Sequence, residues 1–366
     1  MTALAKAATA AGQNSPDPAY DWRRVAYLVQ VSRAMDELEE KTLVPERKVL
    51  YQFSARGHDV AQVLLGSRLT DRNDAACGYY RSRPMLLALG VDIADALGSN
   101  MMKAGGYSDG RDIGVVFNYP NPNGASALPM CGGVGAQYTP TVGWAQAVEY
   151  RRTVLKEPGW DDAIGVVLGG DASCATGGFW SSLTIATTLK LPMLFYIEDN
   201  GYGISVPSTY QTPGANIAKN LESFTGLHIL QGDGSEPAEA ARLVAQETDY
   251  VRARKGPVLL RLTVPRLQGH SAQDTQAYKD PDFVAAEWAR DPLPKLKSYL
   301  IGSVLDAAEW DAVEAQARAD VAAALARAEA RPSAEPSPVT RHVFFDGEMQ
   351  IQGGQGADAY ELPPET

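Results

Sequence analysis

Two short segments decide the fold class: GGDAS at residues 169–173 and EDNGYG at residues 198–203. Each follows a run of apolar residues, 163–168 before the first and 193–197 before the second, and a helical pattern covers 179–190 between them. Short, almost fully apolar runs predict strands that are buried on both faces. Because these strands alternate with a helix, we expect an α/β fold with a mostly parallel sheet and helices on both faces.

Polar residues stand at the ends of these two predicted strands. Asp171 follows the first strand, and Asn200 follows the second, 29 positions later. In a right-handed βαβ unit both strands run the same way, so both residues emerge at the carboxyl edge of the sheet, where such folds bind ligands. Carboxylate and amide oxygens suit Mg²⁺ bound together with phosphate oxygens. Gly169 and Gly170 would let backbone approach a phosphate, although Asp and Asn are also common in plain turns.

Composition excludes several function classes. The chain has 366 residues, is 45% hydrophobic and carries a formal net charge of −11. This acidity argues against nucleic acid or an anionic membrane as the main partner, and no run of about 18 apolar residues predicts a membrane span. The three cysteines are widely spaced and the four histidines are scattered, so they form no zinc motif. The odd number and wide spacing of the cysteines fit a reducing, cytoplasmic location.

Sequence patterns also predict the organisation of the chain. We expect a disordered tail over 1–20, one large domain over 21–330, and a separate C-terminal tail over 331–366 that contacts a partner subunit. Within the domain, apolar residues at helical spacing predict helices from residue 21, from residue 57, after Pro84 and over 310–325. The Gly-, Asn- and Pro-rich stretch 104–129 predicts a long ordered loop, and residues 258–264 predict a third strand.

The paired segments resemble the thiamine diphosphate motif, Gly-Asp-Gly followed about 30 residues later by Asn-Asn. In particular, the segments LP at 191–192 and EDNGYGIS at 198–205 are similar to the corresponding segments of one family. This family is the alpha subunit of the decarboxylating component of 2-oxo acid dehydrogenase complexes. This resemblance implies a thiamine diphosphate-binding fold, with thiamine diphosphate and Mg²⁺ as cofactors. It places Asp171, the Asn200 side chain and the Tyr202 carbonyl on the metal.

The resemblance extends to other segments: YYR at 79–81, the Gly-rich stretch 128–143, and GHSAQD at 269–274. It implies that His270, on a mobile loop, acts in catalysis, and that Tyr51 and Tyr80 line the substrate pocket. Ser271 matches a phosphorylation site of animal relatives. The cofactor-binding residues that it implies are Tyr80, Arg81, Val134, Gly170, Asp171, Ala172, Ser173, Asn200, Tyr202, Ile204 and His270.

Several positions depart from the family pattern. Ala172 replaces the last Gly of the motif, and Asp199 replaces its first Asn. Ser181 stands where the family usually has Glu, and Gly269 stands where a second His often precedes His270. Residues 112–117 read DIGVVF, where a substrate-facing His is common. Of all the roles that the resemblance implies, those of the substrate-pocket residues are therefore carried over least well to this chain.

The implied reaction is oxidative decarboxylation of a small 2-oxo acid, with transfer of the acyl group to a lipoyl group on an acyltransferase component. Because the family's proton-shuttling Glu comes from a beta subunit, we expect an α₂β₂ heterotetramer. A branched-chain 2-oxo acid is the favoured substrate, with pyruvate and acetoin as alternatives. Two other hypotheses stay open: a degenerate structural subunit, and an NAD-linked dehydrogenase, which would need a Gly-x-Gly-x-x-Gly that the chain lacks after residue 168.

Overall fold

A computed structural model describes residues 15–111 and 118–340. The strands are β1 (Ala75–Cys77), β2 (Ser126–Ala127), β3 (Gly165–Gly170), β4 (Met193–Asp199), β5 (Tyr202–Gly203), β6 (Val206–Pro207), β7 (His228–Asp233) and β8 (Val258–Thr263). Six of them form one sheet in the order β2-β1-β3-β4-β8-β7, and every neighbouring pair is parallel. Strands β5 and β6 form a small antiparallel hairpin. The predicted mostly parallel sheet is confirmed.

Helices connect these strands and cover the sheet. They are α1 (Trp22–Leu38), α2 (Asp59–Ser67), α3 (Arg83–Leu89), α4 (Ile93–Asn100), α5 (Tyr138–Thr153), α6 (Gly177–Leu189), α7 (Ile217–Asn220), α8 (Pro237–Arg252), α9 (Pro281–Ala289), α10 (Pro292–Leu300) and α11 (Ala307–Glu329). The helix predicted over 179–190 begins two residues earlier than expected, and it ends where Lys190 adopts a left-handed conformation with φ of 52°. Polar residues start other helices, such as Asp21, whose side chain accepts from the Arg24 N–H.

The sheet separates two hydrophobic cores, because successive side chains of a strand point to opposite faces. In β3, Val166 and Leu168 belong to the core that also contains residues of α1, α2, α8 and α11, while Val167 belongs to the core that contains residues of α5 and α6. Helices therefore cover both faces, as the apolar runs predict. This arrangement leaves the carboxyl edge of β3, β4 and β8 as the place where polar residues gather.

The two ends of the chain differ in part from the prediction. Tyr20, assigned to a disordered tail, is buried, and its hydroxyl donates to the Ala241 carbonyl at 2.9 Å. The ordered chain therefore includes Tyr20, while residues 1–14 lie outside the described residues. Beyond α11, Arg331 pairs with Asp95 at 2.8 Å, so the first residues of the predicted C-terminal tail pack on the domain. Residues 341–366 lie outside the described part.

The predicted loop over 104–129 contains the two-residue strand β2, which pairs with β1. Its residues 112–117, where a family His is replaced, lie outside the described residues. In the described parts of the chain, no helix is long and apolar enough to cross a membrane.

Candidate functional site

A cavity of about 780 Å³ opens at the carboxyl edge of the sheet. Segments that follow β1, β3, β4 and β8 contribute to its wall, because all four strands end at this edge. The sequence-predicted site residues all line it: Tyr51, Tyr80, Arg81, Val134, Gly170, Asp171, Ala172, Ser173, Asn200, Tyr202, Ile204 and His270. The fold thus brings together residues that are more than two hundred positions apart in the chain.

Asp171 lies at the base of this cavity, directly after β3. The residue is only 4% exposed, and among the described residues no side chain donates a hydrogen bond to its carboxylate, while the backbone N–H groups of Asp171 and Asn200 favour its charged form. Burial, together with repulsion from Asp199, nevertheless raises the pKa of Asp171 to about 7. A buried carboxylate without a cationic partner is costly, so this position suits a bound cation that would supply the missing positive charge.

A tight turn carries Asn200 to the same place. Asn200 Oδ1 accepts from the Tyr202 N–H at 3.1 Å, and Asp199 Oδ1 accepts from the Gly201 N–H at 3.0 Å. Gly201 has φ of 78°, a conformation that costs little only without a β-carbon. The turn leads into β5, where Tyr202 lines the cavity. Asp171, Asn200 and Tyr202 therefore offer oxygen ligands from two adjacent strand ends.

Two buried arginines also line the cavity. Arg81 is 2% exposed and donates to the carbonyl oxygens of Ser54 and, at 3.0 Å, His270. Arg266 is 1% exposed and donates to the Ile204 carbonyl at 2.9 Å, while its Nε has no partner. Within residues 15–111 and 118–340, neither guanidinium forms an ion pair with a carboxylate. Two buried guanidinium groups without an ion-pair partner in the described part of the chain suit an anion such as a diphosphate.

Arg266 was not among the sequence-predicted residues. Its position in the sequence could have indicated a site residue, because Arg266 follows β8 at the sheet edge that also holds Asp171 and lies four residues before His270. Burial and the charge of Arg81 lower the pKa of Arg266, which places the two guanidinium groups within electrostatic reach of each other.

His270 sits against an aromatic wall. Its ring centroid lies 5.3 Å from that of Tyr80 and 5.5 Å from that of Phe53, which the sequence did not single out. Tyr51 stacks on Phe53 at 6.1 Å. Burial and the charges of Arg81 and Arg266 lower the pKa of His270 to about 4. The imidazole is therefore neutral near pH 7 and able to accept a proton or hydrogen bond.

The departures from the family pattern leave these groups in place. A β-carbon on Gly203 would lie 2.7 Å from the Ala172 β-carbon, so the extra methyl of Ala172 fits only against a glycine. Gly269 also has no room for a side chain, since a β-carbon there would lie 2.1 Å from the Asp274 carbonyl oxygen. Ser181 is exposed on α6 and does not line the cavity.

Metal ligation by acidic, cysteine or histidine clusters has no support elsewhere. Among residues 15–111 and 118–340, no group of three or more such side chains could hold a metal ion. All three cysteines are free, Cys77 and Cys174 buried and Cys131 exposed. A cation bound in the cavity would therefore need the Asn200 side chain and a main-chain carbonyl as ligands in addition to Asp171.

Comparisons with known proteins agree with this geometry. A family model described as the dehydrogenase E1 component matches residues 27–337. The chain belongs to this family. Among the relatives of this E1 chain, the pyruvate dehydrogenase E1 component subunit alpha of Porphyra purpurea is 26% identical over 287 residues, covering 76% of this chain and 80% of the relative. The 2-oxoisovalerate dehydrogenase subunit alpha of Bacillus subtilis is 28% identical over 301 residues, covering 81% and 87%.

A chloroplastic pyruvate dehydrogenase E1 component subunit alpha-3 from Oryza sativa is 28% identical over 287 residues, and the match spans 65% of that relative. The E1 chain is thus an alpha-type subunit of a 2-oxo acid dehydrogenase, and the family implies thiamine diphosphate as cofactor. The cavity fits that cofactor, because, among the described residues, it holds a buried carboxylate without a side-chain partner and two guanidinium groups without an ion pair. Family membership also removes the NAD-linked alternative.

Proposed function

We propose that this E1 chain is the alpha subunit of an α₂β₂ enzyme that oxidatively decarboxylates a branched-chain 2-oxo acid and passes the acyl group to a lipoyl group. The observation that carries the proposal is Asp171, a buried carboxylate with no side-chain partner among the described residues, which lines a cavity of about 780 Å³. Such a group, with two buried arginines beside it, favours a cofactor that brings both a cation and an anion.

In the proposed site, Asp171, Asn200 and the Tyr202 carbonyl hold Mg²⁺. Gly170, Ala172 and Ser173 approach the diphosphate through their backbone, and Arg81 and Arg266 bind it with guanidinium groups. Val134 and Ile204 pack against the organic rings. When bound, thiamine diphosphate would supply the electron sink that decarboxylation requires. The protein would contribute charge, orientation and exclusion of water.

His270 is proposed to contact cofactor and substrate as a neutral imidazole. Its low pKa, which burial and two nearby arginines cause, keeps the ring able to accept a hydrogen bond or a proton. Tyr51 and Tyr80 would contact the substrate side chain from the aromatic wall around His270. Ser271 lies next to this histidine, and a phosphate group there would add negative charge to the loop.

The aromatic wall supports a branched-chain substrate. Tyr51, Phe53 and Tyr80 form a row of contacting rings at the cavity: Tyr51 stacks on Phe53, and the tilted rings of Phe53 and Tyr80 have centroids 4.4 Å apart. A branched aliphatic side chain would gain from burial against these rings. Pyruvate is the alternative, because several relatives are pyruvate dehydrogenase subunits, and acetoin is a third candidate.

A beta subunit is proposed to complete the cavity. Val134 and Ile204 line it and are 56% and 59% exposed, which is unusual for apolar residues at a binding site. No glutamate lines the cavity among the described residues, so the proton-shuttling carboxylate would come from the partner. The partner set would also include the lipoyl acyltransferase component. The free cysteines favour a reducing, cytoplasmic location.

Co-expression with the beta subunit tests this function. We expect calorimetric binding of thiamine diphosphate that requires Mg²⁺, and faster turnover of branched-chain 2-oxo acids than of pyruvate or acetoin. Faster turnover of pyruvate would move the assignment to that substrate. No binding of the cofactor with the beta subunit present would favour a degenerate structural subunit, and decarboxylation by the alpha chain alone would contradict the heterotetramer.

A further inference from the structure

An ion pair holds Asp199, the residue next to the proposed metal ligand Asn200. Arg261, on β8, donates through Nε to Asp199 Oδ2 at 2.7 Å, and its Nη2 lies 2.5 Å from the same oxygen. The side chains are 13% and 7% exposed, so water screens the pair little. Arg261 also donates to Gln231 Oε1 at 3.0 Å, which fixes the guanidinium between β4 and β7.

Asp199 is one of the positions where this chain departs from the family motif, which has Asn there. Its other oxygen, Oδ1, accepts from the Gly201 N–H at 3.0 Å and so helps to form the turn that carries Asn200 and Tyr202. An amide at position 199 could make the same bond to Gly201. It could not satisfy Arg261 if its NH₂ group faced the guanidinium, because both groups would be donors.

We propose that Arg261 is a positioning residue: it clamps Asp199 and thereby holds the Asn200–Tyr202 turn in the geometry that binds the cofactor's cation. This inference rests on the proposed function. The Asp199–Arg261 pair thus takes over the role of the neutral Asn in the family motif. The charge that Asp199 introduces is compensated by Arg261, so the departure at position 199 does not imply loss of the site. Affinity for the cation would therefore depend on Arg261 of β8, which acts through Asp199.

A positioning role and a purely electrostatic role predict opposite results for Arg261→Gln. If Arg261 acts only through its charge, removing a cation near the site must tighten binding of a divalent cation. If Arg261 acts by clamping Asp199, the loss of its two-nitrogen contact must loosen the turn and weaken binding. Asp199→Asn weakens binding in either case. The double variant Asp199→Asn/Arg261→Gln restores both neutrality and a donor–acceptor pair.

The experiment measures Mn²⁺ binding, by electron paramagnetic resonance of free Mn²⁺, to the full chain co-purified with its proposed beta subunit and saturated with thiamine diphosphate. We expect Arg261→Gln and Asp199→Asn each to raise the Mn²⁺ Kd by about tenfold, as for a lost charged hydrogen bond. The double variant should return to within about threefold of the wild-type Kd, since the two positions are in contact and couple.

Arg252→Gln is the matched control. Arg252 pairs with Asp74 at 2.6 Å with similar burial, and Asp74 also accepts from the Ile164 N–H, which places this pair at the opposite, amino edge of the sheet. It should lower the thermal midpoint and leave the Mn²⁺ Kd unchanged. Tighter or unchanged Mn²⁺ binding by Arg261→Gln overturns the inference. Failure of the wild type to bind Mn²⁺ instead contradicts the proposed function on which the inference rests.

Discussion

Arg81 and His270 are joined directly, since Nη2 of the guanidinium donates to the His270 carbonyl oxygen at 3.0 Å. The same side chain donates through Nη1 to the Ser54 carbonyl. One buried cation therefore ties the segment that holds Phe53 to the loop that carries the proposed catalytic histidine. Arg81 also lines the cavity, so an anion bound there would meet an already fixed guanidinium.

Replacing Arg81 tests this arrangement. Arg81→Ala should weaken thiamine diphosphate binding by about 1.5–3 kcal/mol, the usual range for a hydrogen bond to a charged group. Arg81→Lys should recover only part of that loss, because an ammonium lacks the planar fork. Calorimetric titration measures both.

Arg254→Ala is the control for this series. Arg254 likewise donates to two carbonyl oxygens, those of Ala163 at 2.7 Å and Trp160 at 2.9 Å, but just before β3 at the amino edge of the sheet. It should change stability without changing cofactor affinity. Equal losses of affinity in Arg81→Ala and Arg254→Ala would show that only general destabilisation is being measured.

Asp171→Asn should change stability and cofactor binding in opposite directions. Because the pKa of Asp171 is raised from 3.8 to about 7, the folded chain without cofactor favours the protonated carboxyl. That contribution to stability is present below about pH 4 and is lost as pH rises through 7. Asn resembles the protonated form, so the thermal midpoint of the cofactor-free variant should exceed that of the wild type increasingly from pH 4 to 8.

Cofactor addition gives the second half of this test. Mg²⁺ with thiamine diphosphate should raise the thermal midpoint of the wild type by mass action and leave that of Asp171→Asn unchanged. A rise of similar size in both proteins would remove Asp171 from the proposed metal site.

The protonation state of His270 is measurable. The folded pKa lies near 4, below the ordinary 6.5, so the imidazole should stay neutral from about pH 5 upward. Arg81→Ala removes one of the charges that lower this pKa, so it should move the titration of His270 to higher pH. Nuclear magnetic resonance of ¹⁵N-histidine, with His270→Gln to assign the signal, follows the shift. A titration that stays in place or moves to lower pH would contradict this electrostatic account.

Glu247 offers a test that is separate from the cavity. This glutamate of α8 is buried, its carboxylate oxygen Oε2 lies 3.4 Å from His228 Nε2, and burial raises its pKa to about 7. Its stabilising contribution is therefore complete below its ordinary pKa of 4.5 and is lost as pH rises through 7. Glu247→Gln should raise the thermal midpoint at pH 8, have little effect at pH 4, and leave cofactor affinity unchanged. A midpoint that falls at pH 8 would show that the contact with His228 outweighs the cost of burying the carboxylate.

The sequence by itself predicted the central strands and the two polar strand ends. Apolar runs such as 163–168 and 193–197 form β3 and β4 because burial on both faces requires apolar residues throughout a strand. Strands β1 and β2 have only three and two residues, too few for a recognisable pattern. Strand β7 includes polar residues, among them Asp233, and is only partly buried. Its apolar signal is therefore weak, although β8 pairs with it along its whole length.

Within the site, local sequence identified residues whose type and position after a strand carry the signal, such as Asp171 and Asn200. Tertiary structure alone decided which charges remain unpaired and which are compensated. Arg266 became a candidate because, among the described residues, its guanidinium forms no ion pair, and the charge of Asp199 is compensated because Arg261 of a non-consecutive strand pairs with it. The Asp199–Arg261 pair joins residues 62 positions apart in the chain. The physical reason is that burial and charge compensation arise between strands, and no local pattern records them.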